Sequence, residues 1–242
     1  MGKSAVSRPL VANLVCGSPQ RNHDFDFARL QLAGALYDAT GIRTDCFQDY
    51  EDSAAILGGD LLVTYTSQVP VSDRACAALA RYLDRGGRWF ALHASNSVLQ
   101  NPHLPKLLGT RFVTHPPYRR FRVEPTRPED PLLEGLDPFE LEDELYCIED
   151  VTGDLEILLH TRWGGEAFGG HVLEEADRPL MYRRRVGEGG VLYLALGHAN
   201  RPYDKPFPHL PDQPDHRGPW DLPTFRTLIR RGIEWAAGRR PF

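Results

Sequence analysis

Short apolar segments alternate with helical segments through the first 98 residues, and this alternation constrains the fold more than any other feature. Residues 10–16 are a nearly continuous apolar run, as expected for a strand that is covered on both faces. Further strands are predicted at residues 42–47, 60–65 and 88–92, with helices between them. Strands that alternate with helices form right-handed βαβ units, so we predict an α/β fold with a parallel, doubly wound sheet.

Helix start and stop signals agree with this order of elements. Asn22 or Asp24 can cap the helix that follows the first strand, and residues 50–57 predict a short second helix. Ser72 caps a third helix, which Gly86 ends. The fourth strand begins directly after this glycine and ends at His93, so this histidine is expected at the ligand-binding edge of the sheet.

Beyond residue 100 the predicted strands follow one another without long helices. They cover residues 119–124, 145–148, 155–160, 180–186 and 191–196. We therefore predict an antiparallel extension of the same sheet, a closing helix over residues 224–237, and one domain spanning residues 1–242. Residues 199–223 carry seven prolines. Loops of this length are typical of lids over a site or of disordered segments, and the sequence allows both interpretations.

Charge and apolar patterning exclude several classes of function. The net charge of −5 provides no basic field for nucleic acid or for an anionic membrane. No apolar run approaches the roughly 18 residues of a membrane helix, and the polar N-terminus does not resemble a signal peptide, so we expect a cytoplasmic protein. The four cysteines form no C-x-x-C pair, which disfavours a zinc knuckle.

The nucleotide-binding and nucleophile motifs are missing from the sequence. No G-x-G-x-x-G follows the first strand, and neither a P-loop nor a G-x-S-x-G element occurs. We therefore expect no nucleotide cofactor.

Four histidines lie where predicted elements end or loops begin, and an acidic cluster lies at residues 142–144. The histidines are His23, His93, His115 and His198. Histidine is both the commonest metal ligand and the side chain best suited to proton transfer near neutral pH. Together with a carboxylate they could bind a divalent metal such as Zn, Mn, Ni or Fe, or shuttle protons. A single histidine at a strand end is more often a structural or surface residue, and no short-range ligand pair such as H-x-H strengthens the metal interpretation.

Over most of its length the chain resembles the trehalose-utilisation (ThuA-like) family. The resemblance rests on the order and spacing of short pieces: His23-Asp24-Phe25, residues 86–93, residues 107–112 leading to His115-Pro116, residues 131–136 with 143–146, residues 189–193 leading to Gly197-His198, and residues 231–238. The family implies a flavodoxin-like, class I glutamine amidotransferase-like sandwich and a role in the catabolism of disaccharides and oxidised 3-keto sugars.

The resemblance also implies where the site lies. In amidotransferases of this fold a nucleophilic cysteine occupies the turn after the fourth strand, whereas here that turn carries His93, so glutaminase chemistry is not expected. The implied pocket holds His23, His93, His115, Glu144 and His198.

We assign roles to these residues on that basis. His93, His198 and Glu144 are the predicted catalytic groups, and the same three with His115 are the predicted metal ligands. The predicted substrate-binding residues are His23, His115, Tyr118, Tyr203 and Trp220.

The expected activity is that of a sugar-processing hydrolase, lyase or isomerase, which acts on a disaccharide or 3-keto sugar by acid/base or metal-assisted chemistry. The expected partner is a small-molecule sugar, and a homo-oligomer is compatible with the sequence. A non-catalytic sugar-binding or regulatory module, or a structural scaffold in a larger assembly, remains an alternative.

Overall fold

A mixed β-sheet runs through the middle of the protein, with helices packed against it. The computed structural model describes residues 8–20, 22–98, 100–201 and 216–242. A short 3-10 helix, His93–Asn96, follows the fourth strand. The other elements, in chain order, are β1 (Leu10–Gly17), α1 (Phe25–Asp38), β2 (Ile42–Phe47), α2 (Ser53–Gly58), β3 (Leu61–Thr66), α3 (Asp73–Asp84), β4 (Arg88–Leu92), α4 (Leu104–Leu108), β5 (Thr110–Thr114), β6 (Arg119–Pro125), β7 (Phe139–Asp143), β8 (Cys147–Asp150), β9 (Glu156–Ala167), β10 (His171–Val186), β11 (Gly189–Leu194) and α5 (Pro223–Ala236).

Within the described residues, the main sheet has the strand order β2-β1-β3-β4-β11-β10-β9-β6-β7. The strands from β2 to β11 are parallel to their neighbours, whereas β10, β9, β6 and β7 pair antiparallel. Strands β5 and β8 form a separate antiparallel pair. This topology confirms the flavodoxin-like α/β sandwich with a parallel centre and an antiparallel extension.

The parallel half forms as its sequence predicts. All residues of β3 are buried, as expected for a strand between two helical layers, in which α1 packs with α5 and α2 packs with α3. The Asp24 side chain accepts a 3.0 Å hydrogen bond from the Phe27 N–H and caps α1, and Ser72 caps α3 in the same way through Ala75. Gly86 has φ +94°, the left-handed conformation that ends α3.

The antiparallel half differs from the prediction in several boundaries. The strand expected at residues 145–148 begins two residues later, at Cys147, and continues to Asp150 as β8. Strand β7 was not predicted because it lies at the edge of the sheet, where its apolar and acidic residues alternate and only one face is buried. The short elements α4 and β5 were not predicted either.

The proline-rich segment is described only at its two ends. Asn200 and His216 form an isolated antiparallel bridge, with N–H to O distances of 2.9 and 3.0 Å. Residues 202–215 lie outside the described residues. Among the helices that are described, none has the length and apolar character needed to cross a membrane.

Candidate active site

Three histidines meet at the carboxyl ends of parallel strands. His23 follows β1, His93 follows β4 and His198 follows β11. This edge of a doubly wound sheet is where ligands bind, because the loops diverge there and leave a crevice. Glu144 reaches the same place from the antiparallel half, in the connection between β7 and β8.

The four side chains form a compact group, which we call the His/Glu cluster (His23, His93, Glu144 and His198). Their ligand-type atoms all lie within 4.8 Å of one another. Glu144 Oε2 is 3.0 Å from His198 Nδ1, 3.6 Å from His93 Nε2 and 3.9 Å from His23 Nε2. The Nε2 atoms of His23 and His93 are 3.1 Å apart. One carboxylate oxygen is therefore surrounded by three imidazole nitrogens.

His93 occupies a constrained turn. Its φ of +46° lies in the left-handed region, which is uncommon for residues other than glycine and is often found at functional sites. The ring Nδ1 lies 2.7 Å from the Ala195 carbonyl oxygen and donates to it, and the Tyr193 hydroxyl donates to the His93 carbonyl. Because Nδ1 carries the proton, the Nε2 lone pair faces the cluster.

The pKa values of the cluster residues are shifted in different directions by their surroundings. Burial, together with His198 and His93, lowers the pKa of His23 well below its usual value. Burial alone would raise the pKa of Glu144, but His198 and His115 hold it well below its usual range. For His198 the effect of burial is outweighed by Glu144, which raises the pKa of this histidine. The cluster thus combines a carboxylate, a neutral His23 and a His198 that favours protonation.

Asp143 supports the turn that carries His198. This fully buried carboxylate accepts hydrogen bonds from the backbone N–H groups of Gly197 at 2.7 Å, His198 at 3.0 Å and Glu144 at 2.9 Å. Burial raises the pKa of Asp143 to about 6, although His93, His198 and the backbone N–H groups of Gly197 and Glu144 oppose the shift. Asp143 therefore links the backbones of two cluster residues.

His115 lies beside the cluster and outside it. Its Nδ1 is 3.8 Å from Glu144 Oε1, the oxygen that faces away from the other histidines. The same Nδ1 lies 2.9 Å from the Pro116 carbonyl oxygen, to which it donates, so its lone pair is not available there to a metal. His23, predicted as a substrate-binding residue, thus belongs to the group of mutually close donor atoms, and His115 borders this group.

The aromatic residues predicted to bind substrate have different surroundings. Tyr118 lies near the site, with its ring centroid 6.2 Å from that of His198 and its hydroxyl donating to the Glu142 carbonyl. Trp220 is buried, donates from Nε1 to the Gly197 carbonyl and packs on Phe225. Trp220 was predicted to stack on a sugar, but its ring is covered by the core and is not open to a ligand. Tyr203 lies outside the described residues.

Two further residues border the site that the sequence did not single out. The Tyr146 ring centroid lies 4.2 Å from that of His93. The ring of His216 lies 4.9 Å from that of His198, and its two buried nitrogens have no hydrogen-bond partner within the described part of the chain. Burial lowers the pKa of His216 to about 3. Its position in the proline-rich segment, where no helix or strand is predicted, gave no signal of this proximity.

The cluster has the donor set of a transition-metal site. Three imidazoles and one carboxylate are ligands that suit Zn, Mn, Ni or Fe, and the bond from His93 Nδ1 to a backbone carbonyl is the usual way in which a ligating imidazole is oriented. The residues therefore fit a divalent metal. The 3.0 Å approach of His198 to Glu144 also suits proton transfer between an imidazole and a carboxylate.

Comparisons with known proteins agree with the fold. The family described as trehalose utilisation (ThuA) matches residues 15–208. A ThuA-like protein from Parabacteroides merdae has a TM-score of 0.73 at 17% identity, covering 96% of this chain and 91% of that one. A second, from Bacteroides uniformis, has a TM-score of 0.70 at 17% identity, with coverages of 99% and 96%.

A third solved structure shares the fold at a lower TM-score. A Thermoplasma acidophilum protein described as a GMP synthase subunit has a TM-score of 0.55 at 14% identity, and 97% of each chain is covered. At these identities the similarity concerns the fold alone. No curated protein matches the sequence.

Proposed function

The chain belongs to the trehalose-utilisation (ThuA) family, and from this premise we propose that it is an enzyme that converts a disaccharide or an oxidised 3-keto sugar at the His/Glu cluster. The family supports a carbohydrate-related role. The observation that carries the proposal is the convergence of four metal-ligand atoms within 4.8 Å at the carboxyl ends of the parallel strands. Burying three histidines and a carboxylate costs free energy unless they are paired or bind a metal, so packing alone does not account for this group.

The proposed cofactor is one divalent metal, Zn, Mn, Ni or Fe. It would be held by His23 Nε2, His93 Nε2, His198 Nδ1 and Glu144 Oε2. Such a metal supplies Lewis-acid polarisation of a carbonyl or activation of a water molecule. The bond from His93 to Ala195 fixes the orientation of one ligand, and Asp143 fixes the backbones that present His198 and Glu144.

The residues around the cluster would bind the substrate and move its protons. His115 lies on the Oε1 side of Glu144 and is the most exposed of the five polar groups, so it is placed to meet a sugar hydroxyl. Tyr118 and His216 lie on the side of His198.

A metal-free acid/base mechanism is a second candidate. The 3.0 Å contact between His198 and Glu144 favours it, because an imidazole and a carboxylate at this separation can act as acid and base on a sugar carbon or hydroxyl.

We further expect a cytoplasmic protein.

Metal analysis of the purified protein, combined with turnover of 3-ketotrehalose, tests the proposal. His93→Ala removes one donor from the centre of the cluster and should abolish both bound metal and turnover. The matched control is His103→Ala, which removes an exposed histidine at the start of α4. This control should retain both.

The outcomes separate the candidate functions. Loss of turnover in His93→Ala from a protein that never carried metal would favour the acid/base mechanism. Calorimetric binding of 3-ketotrehalose without conversion would identify a sugar-binding module. Unchanged metal content and turnover in His93→Ala would contradict the assignment of the site.

A further inference from the structure

The exposed fractions of the side chains show from which direction the cluster can be reached. His93 is 0% exposed, His23 4% and His198 8%, whereas Glu144 is 16% and His115 21% exposed. Exposure therefore increases from the buried histidines through Glu144 to His115. Among these five groups, the cluster is therefore least buried on the Oε1 side of Glu144, where His115 lies.

Phe168 lies beside His115, on this less buried side of the cluster. It occupies the tip of the hairpin formed by β9 and β10, is 50% exposed, and has its ring centroid 5.0 Å from that of His115 in an edge-on arrangement. Its backbone is fixed on both sides, because its N–H donates to the His115 carbonyl at 3.0 Å and its carbonyl accepts from the Thr114 hydroxyl at 2.8 Å. Gly169 and Gly170, both with φ of +75°, let the chain turn directly after it.

This anchoring distinguishes Phe168 from an incidental exposed apolar residue. Single exposed hydrophobic residues are common and need no explanation. Phe168, however, is held against a polar residue of the site by two hydrogen bonds between different parts of the chain, and the residue is still 50% exposed. Val172 on the same hairpin is 77% exposed and provides a comparison outside this arrangement.

We propose that Phe168 forms the wall of a second sugar subsite, so that the substrate has at least two sugar rings, one at the His/Glu cluster and the next against the exposed face of Phe168. The inference rests on the proposed function, since it assumes that the cluster converts a sugar. An aromatic surface next to polar groups suits a pyranose, whose C–H face is apolar and whose hydroxyls require hydrogen-bond partners. His115 lies between the two subsites, and its Nε2, the ring nitrogen that does not bond to the Pro116 carbonyl, can accept from a hydroxyl near the linkage.

Binding of 3-ketotrehalose and of 3-ketoglucose, measured by calorimetry on the wild type and on variants, tests the subsite. Phe168→Ala should weaken binding of the disaccharide about tenfold, because apolar contact area is lost, and should leave the monosaccharide unchanged. Phe168→Tyr keeps the aromatic face and should restore the affinity for the disaccharide. Val172→Ala is the matched control and should affect neither sugar.

Metal content and sedimentation of each variant complete the experiment. Unchanged values in Phe168→Ala would show that the cluster and the oligomeric state are intact, so that a selective loss of disaccharide affinity supports the subsite. Equal effects on both sugars, or no effect, in a protein whose wild type converts 3-ketotrehalose would overturn the subsite alone. A change of oligomeric state with unchanged sugar affinity would instead assign Phe168 to a contact between copies of the chain. A wild type that neither binds nor converts either sugar would overturn the proposed function and the subsite together.

Discussion

Removal of the Asp143 carboxylate should destabilise the protein strongly and also weaken the site. In Asp143→Ala, three buried backbone N–H groups, those of Gly197, His198 and Glu144, lose their acceptor. Hydrogen bonds to a charged group contribute about 1.5–3 kcal/mol each, and an unpaired buried donor carries a comparable penalty. Part of this cost is offset because the carboxylate no longer has to be buried, and because water can enter the space it leaves. We therefore expect a loss of about 3 kcal/mol in the free energy of unfolding.

Asp143→Asn should be less severe. Its amide oxygen can still accept from His198 and Glu144, which share Oδ1 in the native protein, whereas its NH₂ group faces the N–H of Gly197. One bond is lost and a donor is placed against a donor, so we expect a cost of about 2 kcal/mol. Glu142→Ala is the matched control, because this carboxylate precedes Asp143 in β7 and is exposed. Its replacement should change stability by less than about 0.5 kcal/mol.

Urea unfolding at about pH 8, where Asp143 is ionised, measures these differences. Metal titration of the folded variants measures the second effect, for which we expect a loss of affinity of about 10–100-fold in Asp143→Asn. A destabilisation below about 1 kcal/mol in Asp143→Ala, indistinguishable from that in Glu142→Ala, would refute the reasoning that this carboxylate satisfies the turn.

Two further predictions concern the scaffold. A Cβ on Gly232 in α5 would overlap the Phe90 ring of β4, so Gly232→Ala should destabilise the protein by about 1–3 kcal/mol in urea unfolding. In Gly34→Ala in α1, the added Cβ meets nothing within 4 Å, and this variant should instead stabilise the protein by about 0.5–1 kcal/mol. A change in the free energy of unfolding with the same sign in both variants would contradict the packing of α5 against β4. The backbone N–H of Ser72 is the largest factor that lowers the pKa of Glu51, and burial only partly opposes it. This contribution to stability is present at neutral pH and is lost as the pH falls through the folded-state pKa, so Glu51→Gln should lower the urea midpoint at about pH 7 and leave it unchanged at about pH 2.

The parallel half of the fold could be predicted because its signals are local. Buried strands between two layers of helices are continuous apolar runs, and the helix boundaries follow from Asp24, Ser72 and Gly86. The approach of His23, His93 and His198 could also be anticipated, since the carboxyl ends of parallel strands meet at one edge.

The rest of the site depends on contacts between residues that are distant in sequence. Nothing in the local pattern distinguishes Asp143, which bonds to backbone, from Glu144, whose side chain enters the cluster. Trp220 and His216 lie in or beside the same proline-rich segment, yet one is part of the core and the other borders His198. Only the three-dimensional fold decides between such alternatives.

The carbonyl of Gly197 provides a direct test of how the His198 turn is held. This oxygen accepts from two buried donors, the Tyr65 hydroxyl at 2.9 Å and Trp220 Nε1 at 2.8 Å. Either donor alone satisfies the carbonyl, so Tyr65→Phe and Trp220→Phe should each remove only one bond, in addition to any repacking around the smaller ring. The double variant leaves a buried carbonyl without a donor and should exceed the sum of the single effects by about 1 kcal/mol in urea unfolding. Strict additivity would mean that water molecules replace the missing donors. The bonds to Asp143 would then be enough to hold His198 in place, and the affinity of the protein for the metal should be unchanged in the double variant.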